Sequence, residues 1–256
     1  MITLHPRAAA LLAASVLLTG CGGGAAASSG PRAAVTAPPA PPAPPAPKSP
    51  AAPESSEAAA PRRIPGLGAK TWSQVPDDAR QVVVVTGRGK DSPLSTAVLH
   101  TRTADDGWEA GESWSAHNAL RGWSDHHLAG DLRTPIGVYG LTDAGGLLPD
   151  PGTRLPYDQG VAFTSPGTGF EGEPLEGSFD YVIAIDYNRK PGTTPLDWTR
   201  PMGAKRGGGI WLHVDHGGPT QGCVSVAEQH MRELLRTLDP ALHPVVVMGD
   251  HASLAR

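Results

Sequence analysis

The chain has 256 residues and a formal net charge of −4, with 21 Lys and Arg against 25 Asp and Glu. That balance leaves no basic stripe, which argues against a nucleic-acid partner. Cys21 and Cys223 are the two cysteines, too few for a disulfide framework.

Residues 1–21 have the layout of an export signal: Arg7 precedes an apolar run from Ala8 to Leu18, too short to span a bilayer. The run closes on Leu18, Thr19, Gly20 and Cys21, which resembles the bacterial lipoprotein processing box. That resemblance implies export, a diacylated Cys21, and anchoring to the outer face of the cytoplasmic membrane in the cell-wall space. With Cys21 lipidated, Cys223 is a lone thiol in an oxidising compartment. Residues 22–69 are mostly Ala, Pro, Gly and Ser, with almost no large apolar residue to offset the entropy of ordering, and read as a linker. Pro-Pro-Ala units between Val35 and Pro53 favour an extended tether of about 3.1 Å per residue, a reach on the order of 100 Å. Residues 70–256 are enough for one domain with a proper core, expected to be a monomer.

In that domain, β-branched runs bounded by Gly, Asp and Pro predict strands at Gln81–Thr86, Thr96–Thr103, Trp108–Glu112, Gly137–Leu141, Tyr181–Tyr187, Ile210–Val214 and Pro244–Met248. Asp105, Asp106 and Gly107 separate two of them as a hairpin, with Gly107 placed for positive φ. The segments Ser115–Pro135 and Asn188–Gly208 read as long loops over a binding site. One helix is expected directly after Cys223. Ser225 and Glu228 have capping-box spacing, Met231, Leu234, Leu235 and Leu238 recur at helical intervals, and Asp239 and Pro240 end the run. The fold class is therefore mainly β.

The chemistry concentrates between Gly209 and Ser225, where an apolar strand ends in His213 and a Gly-rich turn leads to Cys223. A free thiol is only a few per cent ionised at neutral pH, so a nearby imidazole and a helix N-terminus would favour the thiolate. His213 directly follows the strand that would fix its ring and is the expected base; His216, three residues on, is the alternative. Gly222 lets a carbonyl approach the main chain, and the amides of Gly222 and Cys223 would form an oxyanion hole. His213, Asp215 and His216 also permit a metallopeptidase reading, although no further ligand pair of suitable spacing stands out.

Strand, histidine, Gly-rich turn and the run Thr220, Gln221, Gly222, Cys223, Val224, Ser225 resemble the active-site signature of L,D-transpeptidases, the YkuD-type catalytic domain. Gly130, Asp131, Arg133, Thr134, Pro135, Gly137 and Tyr139 extend the resemblance upstream, and Tyr181 to Asn188 is similar to the strand before the active-site loop. The chain departs from the commonest pattern in its short His213-to-Cys223 interval, shared with one branch of the family, and in Ser225, where many relatives carry Arg or Asn. The resemblance implies a β-sandwich-like fold with a helix following the Cys, and a Cys223 thioester formed on peptidoglycan tetrapeptide stems with loss of the terminal D-Ala. An amine from a neighbouring stem then resolves the thioester into a cross-link between third residues. Neither a metal nor an organic cofactor is implied. Arg133, Thr220, Gln221 and Ser225 are candidates for binding substrate, with Arg206 a weaker one. Rival readings are thioester hydrolysis, as an L,D-carboxypeptidase or cross-link hydrolase, and a wall-binding lipoprotein without activity. The last would use the tryptophans at 72, 108, 114, 123, 198 and 211 to stack on sugars.

Overall fold

A computed structural model describes residues 62–256. Cys21, the export signal and the linker up to residue 61 lie outside the described residues. In chain order the strands are β1 (Gln81–Gly87), β2 (Leu94–Arg102), β3 (Trp108–His117), β4 (Trp123–Ser124), β5 (Thr134–Pro135), β6 (Gly137–Gly140), β7 (Ala144–Gly146), β8 (Tyr157–Gln159), β9 (Val182–Ala184), β10 (Trp211–Val214), β11 (Val224–Val226) and β12 (Val245–Asp250). Three helices accompany them: α1 (Ala69–Trp72), α2 (Glu228–Thr237) and α3 (His251–Leu254).

The mainly β expectation holds. Ten strands form one curled sheet in the order β6-β12-β1-β2-β3-β11-β10-β9-β7-β8, and β4 with β5 makes a separate pair. The unbroken valines of β1 are those of a strand covered on both faces. Val83 and Val85 enter the main core with Leu212, Val224, Val226 and the α2 residues Met231, Leu234 and Leu235. Val82 and Val84 face a second core with Val245, Val247, Ile64, Leu67 and Leu254. Each such side chain contributes about 1.5–3 kcal/mol on burial, so the two faces together hold β1 and its neighbour β12 in the sheet.

Several boundaries differ from expectation for identifiable reasons. The folded unit begins before Lys70: Ile64 and Leu67 are buried, apolar anchors set among Pro and Gly. At the β2–β3 hairpin the left-handed residue is Asp106, at φ 60°. There Thr103 N–H donates to the Gly107 carbonyl at 3.0 Å. Ser115 to His117 continue β3 instead of opening a loop. The 188–208 segment has only one short 3-10 turn, at Ala204–Arg206, yet it is firmly tied. The Asn188 side-chain amide donates to Gly203 O at 3.1 Å and Gly207 O at 2.6 Å, and its oxygen accepts from Met202 N at 2.7 Å.

The largest correction concerns the segment after Cys223. Val224 and Val226 alternate with Ser225, and the run becomes β11, inserted between β3 and β10. Helix α2 starts only at Glu228 and has no side-chain cap, with Ala227 at the N-cap position. Ser225 is therefore not a helix cap, and the thiol does not sit at a helix N-terminus.

Candidate active site

Strand pairing fixes which side chains share a surface. β10 and β11 run parallel, with Leu212 opposite Val224 and His213 opposite Ser225. Leu212, Val224 and Val226 point into the core, so the pleat turns His213, Ser225 and, just before the strand, Cys223 to the other face. His213 is thus the diagonal neighbour of Cys223 on one face, a spacing that a ring can bridge. Both line a cleft of about 610 Å³.

The sulfur accepts the Trp211 N–H at 3.4 Å, and its own proton is directed at the Gly209 carbonyl at 3.6 Å. One edge of Cys223 opens on the cleft, but the rest of its surroundings is protein. Burial pushes the thiol up to about 11, against the Trp211 amide, which favours the anion. His213 shows the complementary shift: burial holds the imidazole down to about 4, despite its hydrogen bond to Val214. The resting pair is therefore neutral thiol and neutral imidazole, not the pre-formed thiolate that a helix dipole would have favoured. Cys223 should accordingly be alkylated by iodoacetamide at pH 7 roughly 100-fold more slowly than a free cysteine, with a rate still rising toward pH 11. A plateau near pH 8.5 would contradict this.

His213 Nδ1–H donates to the Val214 carbonyl at 2.9 Å. That bond fixes the tautomer and leaves Nε2 as the nitrogen able to accept a proton. The ring is held edge-on by Phe179, with centroids 5.4 Å apart. Nearby, the turn before the thiol is locked from inside: Thr220 Oγ1 donates to the Cys223 carbonyl at 2.6 Å, and Thr134 Oγ1 to the same oxygen at 3.4 Å. The amides of Gly222 and Cys223 donate to no protein acceptor among the described residues. A rigid turn with two unspent donors beside a sulfur can stabilise an oxyanion.

Residues 78–247 match the YkuD family, described as the L,D-transpeptidase catalytic domain. The chain belongs to that family. Comparison with curated proteins and with solved structures gave no match. The matched span runs from just before β1 into β12, so the L,D-transpeptidase domain takes in the cleft and both strands that bear the Cys and the His.

Within this L,D-transpeptidase domain the other expected residues separate. His216 stacks on His213 with centroids 5.8 Å apart and planes 9° from parallel. Its Nδ1 lies 3.2 Å from Glu173 without hydrogen-bond alignment. Asp215 turns elsewhere: its carboxylate takes His117 Nδ1 at 2.8 Å and Ser225 Oγ at 2.6 Å. Burial opposes its ionisation, but those two bonds and the His117 charge outweigh it and hold the carboxyl below its ordinary value. His213, Asp215 and His216 consequently do not converge as a ligand set. Arg133 pairs with Asp91 at 2.8 Å and donates to Trp123 O at 3.1 Å, outside the cleft lining. Arg206 hydrogen-bonds His126 at 2.9 Å and also lies outside the lining. Thr220 and Ser225 are buried and spend their hydroxyls on Cys223 O and Asp215; Thr220 lines the cleft, and Ser225 lies outside its lining. Gln221 is exposed and lines the cleft.

Three residues with no assigned role in the sequence reading join the site or its support. His117 closes the row His117, Ser225, His213 across β3, β11 and β10, and its bond to Asp215 raises its pKa. His127 is buried with Nδ1 3.0 Å from Asp131, and burial holds its pKa down. Arg200 lies along the cleft wall. His126 and His127 stand side by side in the sequence, and nothing around them specifies a partner.

Proposed function

We propose that the protein is a peptidoglycan L,D-transpeptidase in which Cys223 is the nucleophile and His213 its base. The juxtaposition of Cys223 and His213 on one cleft-facing surface, with the imidazole tautomer set by Val214, carries this reading. As substrate enters, the thiol rotates off Gly209 and passes its proton to His213 Nε2 while sulfur attacks the carbonyl of the third stem residue. The Gly222 and Cys223 amides hold the oxyanion. The C–N bond then breaks, His213 returns the proton to the leaving D-Ala amine, and the thioester remains. An amine of a second stem attacks it, His213 takes the amine proton and hands it to sulfur, and the peptide cross-link is released.

This reading places the enzyme outside the cytoplasmic membrane, tethered by lipid on Cys21, and palmitate labelling of wild type beside Cys21→Ala tests that part separately. The chemical part is tested with purified tetrapeptide muropeptides and mass spectrometry. Wild type should release D-Ala and form dimers, and Cys223→Ala should do neither. Tripeptide without dimer would replace transfer by hydrolysis, and no D-Ala release would remove the enzymatic reading.

A further inference from the structure

Gly207, Gly208 and Gly209 form an unbroken run, each at positive φ. A Cβ on Gly207 would lie 2.6 Å from His127 Nε2, and one on Gly208 would strike the Arg200 guanidinium. A Cβ on Gly209 would stand 3.4 Å from the terminal nitrogen of the same group. The missing side chains let Arg200 lie directly against the main chain that forms this part of the cleft, and that main chain leads to the sulfur, since Gly209 O is the acceptor of the Cys223 thiol.

Arg200 is oriented without being neutralised. Its NH1 donates to Asp197 O at 3.0 Å and Thr199 O at 3.1 Å, and the guanidinium stands 4.9 Å from the Trp198 ring centroid. Arg102, Arg133, Arg154, Arg189 and Arg232 each meet a carboxylate. No carboxylate lies within ion-pair distance of Arg200 among the described residues, although it is half-buried in a cleft wall. Trp198, 81% exposed beside it, gives that wall an apolar plate. A desolvated, pre-aimed fork with Nε and one amino group unspent is suited to a carboxylate.

We infer that Arg200 is a specificity-determining residue that binds the C-terminal carboxylate of the leaving residue, one residue beyond the scissile carbonyl. The spacing supports this: Gly209 O accepts the thiol, the space where a Gly209 side chain would stand is bounded by the guanidinium, and a terminal carboxylate is separated from the attacked carbonyl by a single residue, about 3.8 Å of chain. The inference rests on the transpeptidase reading and names how the same site selects its donor.

The test uses the full-length protein with three donors: a tetrapeptide stem with a free C-terminus, the same stem as its C-terminal carboxamide, and a stem in which the diamino acid's own carboxyl is amidated. Wild type should favour the free acid over the carboxamide by about tenfold or more in kcat/KM for alanine or alaninamide release. Arg200→Gln should lose roughly 10- to 100-fold on the acid, mainly in KM, leave the carboxamide unchanged, and so erase the preference. Arg200→Lys should restore part of it. The iodoacetamide rate of Cys223 should stay at the wild-type value in both variants, showing that the cleft is intact. Direct binding of acid and carboxamide to Cys223→Ala, with and without Arg200→Gln, should show the same discrimination. That arm still decides the matter if no turnover occurs, in which case the transpeptidase reading fails by itself. Discrimination that survives Arg200→Gln, or that follows amidation of the diamino acid instead, overturns the assignment.

Discussion

Replacing His213 with Gln is expected to slow acylation of Cys223 by roughly 10²- to 10⁴-fold, the range set by a positioned proton acceptor. The size follows from the state of the thiol. With its pKa pushed up to about 11 by burial, the sulfur has almost no spontaneous thiolate at neutral pH and depends on a base at the moment of attack. His216→Gln should remain within about tenfold of wild type, because its ring follows the strand and only stacks on His213. Timed single-turnover release of D-Ala from the tetrapeptide stem measures both rates, and a His216 variant slower than the His213 variant would reverse the assignment.

The pH profile supplies a second signature. His213 is faced by the stacked His216 ring, by Phe179 and by the neighbouring Asp215, and burial dominates, placing it at about 4. It stays neutral, and therefore basic, through pH 6, where an ordinary imidazole of pKa 6.5 is mostly protonated. The acid limb of acylation should fall near pH 4 in wild type, and a limb near 6.5 would argue against His213. Stability moves with it: as pH drops from 6.5 toward 4 the unfolded chain takes up a proton that the folded His213 refuses, so the fold is weakened across that window. His213→Gln should abolish that part of the loss.

The parts of this site that were legible in sequence are those that one short segment encodes. Ile210 to Val214 reads as a strand from its apolar run, and the close spacing of His213, Gly222 and Cys223 marks one candidate site, with His216 open as the alternative base. The error beside them has a physical cause. Val224, Ser225 and Val226 are three residues, too short to reveal a period of two, while the capping-box spacing of Ser225 and Glu228 mimics a helix start. The choice was made by tertiary pairing, since β11 satisfies His117 opposite Ser225 on one side and His213 on the other. Arg200 and His127 were illegible for a different reason: each comes from a loop with no periodicity, and each acquires its place only where Gly207 to Gly209 pass close by.

Arg189→Met is expected to destabilise the domain by about 3–5 kcal/mol, the cost of leaving buried charge unpaired. Its NH1 meets Asp143 at 2.9 Å and Asp186 at 2.5 Å, and NH2 donates to Thr193 O at 2.6 Å. All three side chains are less than a tenth exposed. Burial already raises the Asp186 pKa, with Arg189 pulling the other way, so removing the guanidinium exposes the full desolvation of two carboxylates. In a domain of this size that corresponds to a fall of roughly 6–20 °C in Tm. The deficit should shrink as pH falls from 7 toward 4, because Asp186, already raised by burial, then binds a proton more readily than in the unfolded chain and the folded state gains. Asp143→Asn with Asp186→Asn in the same chain should recover a large part of the loss at neutral pH. Equal Tm values for wild type and Arg189→Met would show that the triad is not a stabilising anchor. The consequence for function follows from position: Arg189 begins the 189–209 segment that Asn188 ties down, and that segment carries Trp198 and Arg200 and ends on the Gly209 carbonyl under the thiol. Loosening its root should therefore raise KM for the free-acid donor more than for the carboxamide, transmitting a buried electrostatic defect to the cleft.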